Sequence, residues 1–378
     1  GAFMVSYIES VVLPDSVKTV GEYAFGSTTN MNYVEIGSGV ESVGDNAFDG
    51  FFSAIVLPSS LTNLAKDSIY AYGDLTIYYD GTQEQMAQLI ADEIISCDGE
   101  LTVVYGKPAA KGEYEGFRYI ETPSGEIHIY NYVGNAQEVT VPSYINEKPV
   151  TCIGSTFMNY VVDFNTGDLV QNNIKKITIP DTVTRISAIA FYGNTNLKEV
   201  ELPDTLTRIG ESAFRETLIY NQSINWYDNG LYVGKYLVDS SGGDNLLTIK
   251  DGTILVADSA VNAGYTEIIL PASMKYIGEY KFDSSNQTQS VFYGGTQEQW
   301  SQISIAENNE GIADVFMHYN STGHTEGEWI IDTLPTYSAK GSRHKVCSVC
   351  ELTNQTQALP ILTGVGYSSA DDTTCTLD

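Results

Sequence analysis

Apolar residues along this chain come in short bursts with a period of two, and a proline closes most of them. Val11 and Leu13 flank Val12, Val34 and Ile36 flank Glu35, and Ile177 and Ile179 flank Thr178. Val200 and Leu202 flank Glu201, and Ile268 and Leu270 flank Ile269. Such alternation predicts strands of about three to five residues whose flanking members face a core. Pro14, Pro58, Pro142, Pro180, Pro203 and Pro271 follow at once. Proline has no N–H, so it ends each strand and turns the chain. A second short apolar step follows, Val17 with Val20 or Leu206 with Ile209, and then Gly21, Gly44, Gly154, Gly210 or Gly278, which predicts a tight turn. Next come Ala24-Phe25, Ala47-Phe48, Ala190-Phe191 and Ala213-Phe214, with Thr156-Phe157, Lys281-Phe282, Ser68-Ile69 and Ala260-Val261 as variants. A phenylalanine at one point of each unit predicts a stacked aromatic spine.

Aligned on the residue before the proline step, the unit has eight copies, anchored at Leu13, Ile36, Leu57, Val141, Ile179, Leu202, Ile249 and Leu270. The uninterrupted steps, 13 to 36, 36 to 57, 179 to 202 and 249 to 270, are 21 to 23 residues long. A period of that length predicts a β-rich solenoid, in which each coil buries its apolar face only against its neighbours. The long step from 57 to 141 divides the copies into blocks of three and five, and the step from 202 to 249 contains an insertion within the second block. Each block ends on nearly the same phrase, residues 78–86 and 292–300, in which Thr82 and Thr296 are good helix N-caps with Gln85 and Gln299 at the reciprocal capping position. Both phrases return to a strand, at 101–105 and 315–319. Helix and strand together are expected to lie across the last coil and cover its open edge. Residues 117–120, 127–132 and 138–141 alternate as strands around a Ser124-Gly125 turn, which predicts an N-terminal cap for the second block. Residues 226–238 read as a further hairpin set into that block. The expected organisation is residues 1–107 for block one with its cap, 108–150 for the cap of block two, 151–319 for block two, and 320–378 for a small β-type tail module.

Charge narrows the partners. Nineteen Lys plus Arg stand against 48 Asp plus Glu, a formal charge of -29, which repels a nucleic-acid backbone and an anionic membrane surface alike. There is no run of eighteen apolar residues, so membrane insertion is not expected. No signal peptide is legible ahead of the repeats, and Gly1 at the start is compatible with an export leader removed upstream. Five cysteines are too few for a disulfide scaffold, and Cys97 and Cys152 read as small buried fillers.

The cassette resembles the leucine-rich repeat subtype of the bacterial BspA-like surface proteins, whose units run strand, Ile-Pro, then an Ile-Gly-x-x-Ala-Phe turn. The resemblance covers residues 7–107 and about 113–319. The Asn that follows the strand in common leucine-rich repeats is absent, because Pro stands there. Ile36 is followed by Gly37 and Ile249 by Lys250, so those two copies are looser. The resemblance implies a right-handed leucine-rich repeat coil and an extracellular or cell-surface adhesion role, with host or extracellular-matrix proteins, other cells or glycans as partners. We expect a monomer. A structural spacer within a larger surface protein is the first alternative, and a polysaccharide-active enzyme the second.

The sequence offers two sets of candidate functional residues. Outward strand residues of a solenoid form its broad surface, which singles out Tyr33, Glu35, Lys176, Thr178, Glu199, Glu201 and Glu267 as ligand contacts, beside the plainer reading of a solvated strand face. The tail carries Cys347-Ser348-Val349-Cys350 with His324 and His344 nearby, the inventory of a tetrahedral zinc site, with a metal-free, redox-inert pair as the alternative. Residues from His324 to Glu351 resemble the small stalk repeats that follow such solenoids, in which a further Cys falls where Tyr337 stands here. No other cofactor is expected. No His-Glu-x-x-His, Gly-x-Ser-x-Gly, phosphate loop or dinucleotide fingerprint occurs, and with four histidines acid–base candidates are few. The lone His128 in a middle strand reads as structural. Glu22, Asp45, Glu211 and Glu279 recur in register, which indicates a turn role. A non-catalytic protein is expected.

Overall fold

A computed structural model describes residues 1–363 apart from 7, 29–30, 62, 156, 158–160, 163–168, 171–172, 243–244, 263, 280–287 and 308. Thr156, Lys281-Phe282 and the chain beyond 363 therefore lie outside the described residues.

The proline-closed strands stack side by side. Ser10–Val12, Tyr33–Glu35, Ala54–Leu57, Leu75–Tyr79 and Leu101–Tyr105 form one parallel sheet. Parallel pairing places Val11 beside Val34 and Val34 beside Ile55, so the alternation read from sequence becomes an inward column. After four of these prolines the chain makes a β-turn, in which the N–H three residues on donates to the proline carbonyl: Val17 to Pro14 at 3.0 Å, Leu61 to Pro58 at 3.3 Å, Val183 to Pro180 at 3.0 Å and Met274 to Pro271 at 3.2 Å. Two further parallel sheets complete the first stack. One joins Thr19–Val20, Ser42–Val43 and Asn63–Leu64, and the other joins Phe25–Thr28, Phe48–Gly50, Ile69–Ala71 and Ile95–Cys97.

The repeat's glycine is required by stacking. A Cβ on Gly210 would lie 2.1 Å from the Ala188 nitrogen, and one on Gly44 would lie 2.7 Å from the Glu22 nitrogen, so the backbone of the neighbouring coil occupies that space. The left-handed turn falls two residues later, at Tyr23, Asn46, Asp67, Ile189, Ser212 and Ser259, with φ between 49° and 56°. It aims the following Ala-Phe inward. Phe3 stacks on Phe25 at 5.2 Å and Phe25 on Phe48 at 5.3 Å, while Phe157 meets Phe191 edge-on at 5.6 Å and Phe191 stacks on Phe214 at 5.2 Å. The aromatic spine is real, and it ends in each stack where an aliphatic residue takes its place, at Ile69 and at Val261.

Helix Gln83–Ala91 starts at Thr82 with the full capping box, and Gln297–Trp300 starts at Thr296 in the same way. The strands that follow do not lie across the last coil. Leu101–Tyr105 pairs parallel and in register with Leu75–Tyr79, and Phe316–Tyr319 with Ser290–Tyr293, so each helix replaces part of a coil and the sheet grows by one more strand.

Two hairpins begin new stacks. Ala110–Tyr114, Phe117–Glu121 and Ile127–Tyr132 form an antiparallel meander whose last strand pairs parallel with Lys148–Ile153, and Arg185–Ile186 and Arg208–Ile209 continue that sheet. Trp226–Tyr227, Gly230–Val233 and Tyr236–Ser240 repeat the device and lead into Leu255–Val256, Tyr276–Ile277 and Ser304–Ile305. The insertion does not break the core, because Asp258 N–H donates to the Ile209 carbonyl at 2.9 Å and one apolar cluster runs from Phe117 to Ile303. Glu326–Thr333, Gly341–Cys347 and Thr353–Leu359 close the described chain as a three-stranded antiparallel sheet.

Candidate functional site

Much of the outward strand face is covered by the module that follows it. On the first stack Tyr33, Ala54, Val56 and Tyr78 cluster with Ile120 of the 110–132 meander, and Tyr130 lies over Tyr33 with ring centroids 6.1 Å apart. Tyr33 is 3% exposed, and its hydroxyl donates to Glu35 at 3.0 Å. Lys111 sits 4.5 Å above the Tyr33 ring and 2.6 Å from the Glu35 carboxylate, so both residues are engaged by the meander. At the far end Glu267 accepts from His324 at 2.8 Å, so the tail takes that position too. The row across Glu138–Thr140, Lys176–Thr178 and Glu199–Glu201 stays open. There Lys176 reaches Glu199 at 2.7 Å and Glu201 at 2.5 Å, and Thr178 donates to Glu201 at 3.0 Å.

A cleft opens on the turn side, where the first and second stacks meet. It holds about 450 Å³ and is walled by Phe51, Tyr72, Ile189 and Tyr192, with Asp98 and Glu211 at its rim. Phe51 and Tyr72 pack at 4.9 Å, and Tyr70 meets Tyr72 edge-on at 5.3 Å. Tyr70 donates to Asp98, and that hydrogen bond, with burial, raises its phenol above the usual range; burial does the same for Tyr72. Both phenols therefore stay protonated, with Tyr70 hydrogen-bonded to Asp98 and Tyr72 to Asp49. Ile189 is β-branched and left-handed at φ 55°, a conformation that costs such a residue about 1–2 kcal/mol. It lies against Gly73 of the first stack, where an added Cβ would come within 2.9 Å of its side chain. A smaller polar hollow of about 150 Å³ adjoins the cleft through Glu211 and Ser212 and reaches Arg215, Asp239 and Asn262.

A buried ion cluster holds the two stacks together beneath this cleft. Arg208 donates to both Asp74 oxygens, at 2.5 and 3.1 Å, and lies 2.9 Å from Glu100 and 2.6 Å from Asp258. Asp74 and Asp258 have side chains only 5% and 6% exposed. Burial acts to raise both carboxyls. At Asp74 the paired Arg208 hydrogen bonds outweigh burial and hold the carboxyl below the usual range, whereas at Asp258 burial wins and pushes it up to about 6.

The third region is a sulfur and imidazole cluster at the end of the solenoid. His318 comes from the last coil strand, His324 from the link to the tail, and Cys347 and Cys350 from the turn that leaves strand Gly341–Cys347. Their four ligand atoms all lie within 4.8 Å of one another. Cys350 Sγ is 3.3 Å from His324 Nδ1, and Cys347 Sγ is 4.0 Å from His318 Nδ1. Val349 N–H donates to Cys347 Sγ at 3.4 Å. Burial acts to raise the Cys347 thiol, but backbone N–H groups of Cys350 and Val349 bring it down to about 6, while burial raises Cys350. Phe292 walls the cluster, 4.7 Å from the His318 ring and 5.0 Å from the His324 ring.

Residues 1–79 and 168–250 match the family model for the BspA type leucine-rich repeat region, in six copies. Those two segments are BspA-type leucine-rich repeats. No curated protein matches the sequence. Among solved structures the chain is similar to a leucine-rich cell surface protein from Faecalibacterium prausnitzii, at 17% identity and a TM-score of 0.32, over 79% of this chain and 62% of that one. It is also similar to a leucine-rich repeat protein of T. pallidum, at 21% identity and a TM-score of 0.29, over 56% of this chain and 83% of that one. A third, the pneumococcal vaccine antigen PcpA, shares 14% identity with a TM-score of 0.25 over 84% of this chain and 81% of that one. The chain thus spans about 62% of the length of the F. prausnitzii protein. Among the described residues no helix is long and apolar enough to cross a membrane.

Set on the BspA-type coils, the residues singled out from sequence separate. Lys176, Thr178, Glu199 and Glu201 share the open row, whereas Tyr33 and Glu35 lie beneath the 110–132 meander and Glu267 beneath the tail. Tyr33 was expected at the surface and is buried because the strand face outside its own coil is the docking face of the next stack. His344 does not join the cysteines: it stands mid-strand and pairs with Asp332 at 2.5 Å. His318 takes the place expected for it. His318 follows Met317 at an outward position of the coil nearest the tail, and that parity was the signal available in the sequence. His128 is neutral as a structural histidine should be, since burial and the Arg185 charge push it down to about 4.

Proposed function

We propose that this chain is a secreted or cell-surface, non-catalytic binding protein that takes a segment of a partner protein into the cleft between its first and second stacks. The observation that carries this reading is the cleft itself: aromatic walls of Phe51, Tyr72 and Tyr192, with the exposed carboxylates of Asp98 and Glu211 at the rim. Concave, mainly apolar sites with a few placed polar groups at the junction of two units are where ligands settle. The rim of Asp98 and Glu211 and the overall charge of -29 favour a partner segment bearing Lys or Arg. The cleft residues offer no acid–base pair with a histidine, which fits a binder.

The open row of Lys176, Thr178, Glu199 and Glu201 is the second reading, supported by its exposure where the neighbouring rows are covered. An array of extracellular proteins and glycans probed with the whole chain separates the two. Saturable binding to a protein, lost in Tyr72→Ala and Glu211→Ala and kept in Lys176→Ala, supports the cleft. The reverse pattern moves the site to the strand row, a glycan binder changes the partner class, and an array with no binder leaves a structural spacer.

A further inference from the structure

The Cys347–Cys350 turn, His324 and the coil residue His318 belong to three separate pieces of chain, yet their donor atoms converge. We propose that His318, His324, Cys347 and Cys350 bind one divalent zinc-type ion in a tetrahedral site that locks the C-terminal sheet onto the end of the solenoid.

The distances suit such an ion. With metal–sulfur bonds of about 2.3 Å and metal–nitrogen bonds of about 2.0–2.1 Å, a tetrahedron has sulfur–nitrogen edges of roughly 3.6 Å. The two such edges seen are 3.3 and 4.0 Å, on either side of that value. The surroundings suit it too. His324 turns Nδ1 toward Cys350 and gives its other nitrogen to the Glu267 carboxylate at 2.8 Å, the arrangement that fixes the tautomer and raises the basicity of a ligating imidazole. Val349 N–H points at Cys347 sulfur, as a thiolate ligand needs. Phe292 supplies an apolar wall, and the cysteine side chains are buried. Two thiols and two imidazoles with no position open to water form a closed set, which marks a structural site rather than a catalytic one.

The site also explains why the last coil ends as it does. His318 lies on the outward side of strand Phe316–Tyr319, 2% exposed, with Nε2 buried and unpartnered. A buried imidazole beside two thiols has a purpose when an ion draws them together, and the ion then joins the coil (His318) to the tail (Cys347, Cys350) through the link (His324).

The test is metal analysis of the whole purified chain, kept from chelators and from oxidant, with intact mass and thiol titration on the same sample. About one zinc per chain is expected in the wild type and in His344→Ala, falling below about a tenth in Cys350→Ser and in His318→Ala. Cobalt loading is expected to give the visible absorption of a tetrahedral sulfur-ligated ion, and removing the metal is expected to open the 320–325 link to protease while the coils keep their circular dichroism. Circular dichroism of each variant shows that the solenoid has folded. Zinc below about a tenth per wild-type chain would overturn the proposal, whether Cys347 and Cys350 titrate as free thiols or appear as a disulfide in the intact mass. Equal zinc in wild type and His318→Ala would overturn the assignment of the lock to the coil.

Discussion

Replacing Arg208 by Met removes the cation that three carboxylates share and leaves an apolar side chain of similar length. Asp74 and Asp258, 5% and 6% exposed, would then face each other and Glu100 with no counter-charge. Breaking a buried pair by removing one partner costs about 3–5 kcal/mol. Glu100 keeps Arg185 at 3.2 Å, which places the expected loss toward the lower figure. The sign with pH follows from the same groups. Without Arg208, burial raises the folded-state affinity of both aspartates for protons above the unfolded value, so the variant keeps its stability in acid and loses it as pH rises through the raised values. In the wild type Asp74 is held low, and its contribution is present at neutral pH and lost only in acid. The deficit of Arg208→Met is therefore expected to be about 3 kcal/mol near pH 7 and clearly smaller near pH 5. Urea melts at both pH values, followed by hydrogen exchange across 70–75 and 205–210, measure it. A loss under about 1 kcal/mol, or a deficit that grows in acid, would refute the claim that this cluster clasps the two stacks.

Other consequences are as direct. Asp258 alone, raised to about 6, weakens the fold as pH rises from about 4 to about 6, so the stability difference between wild type and Asp258→Asn should change by about 3 kcal/mol across that window. Phe48→Ala and Phe214→Ala, each taken from the aromatic spine, should cost roughly 3–5 kcal/mol in a denaturant melt, and little change at either would remove the register assigned here. Gly210→Ala must push its Cβ into the Ala188 nitrogen and should cost about 1–3 kcal/mol or more, whereas Gly21→Ala, whose Cβ meets nothing within 4 Å, should be close to neutral. Ile189→Gly should relieve left-handed strain, and its thermal midpoint should fall less than that of Ile186→Gly, which lies in a strand.

The coil was legible because its causes are local. Alternation about Val34 and Val200, a proline with no N–H to give, and a Phe after a left-handed residue each act within a few positions of chain. The helices were legible for the same reason, since Thr82 with Gln85 and Thr296 with Gln299 close their capping boxes over three residues. What the pattern did not disclose depends on contacts between distant segments. Tyr33 is covered by Tyr130, Asp74 is paired with Arg208, and His318 meets Cys347, with separations that no periodicity records. The glycine was placed correctly and for an incomplete reason, because its space is taken by the neighbouring coil rather than by its own turn. The cleft was missed entirely. Phe51, Tyr72 and Tyr192 stand outside the cassette's regular positions, and only the fold-back of one stack on another brings them together.

The central functional claim is that partners enter the cleft between the first two stacks. Its most direct test is the affinity of a captured partner protein for the wild type, Tyr72→Ala and Lys176→Ala, measured by calorimetry on folded samples. Tyr72→Ala should lose about thirtyfold or more, the roughly 2 kcal/mol expected of an aromatic anchor in a pocket, and Lys176→Ala should bind as the wild type does. Unchanged affinity in Tyr72→Ala, with the loss appearing in Lys176→Ala instead, would contradict the account.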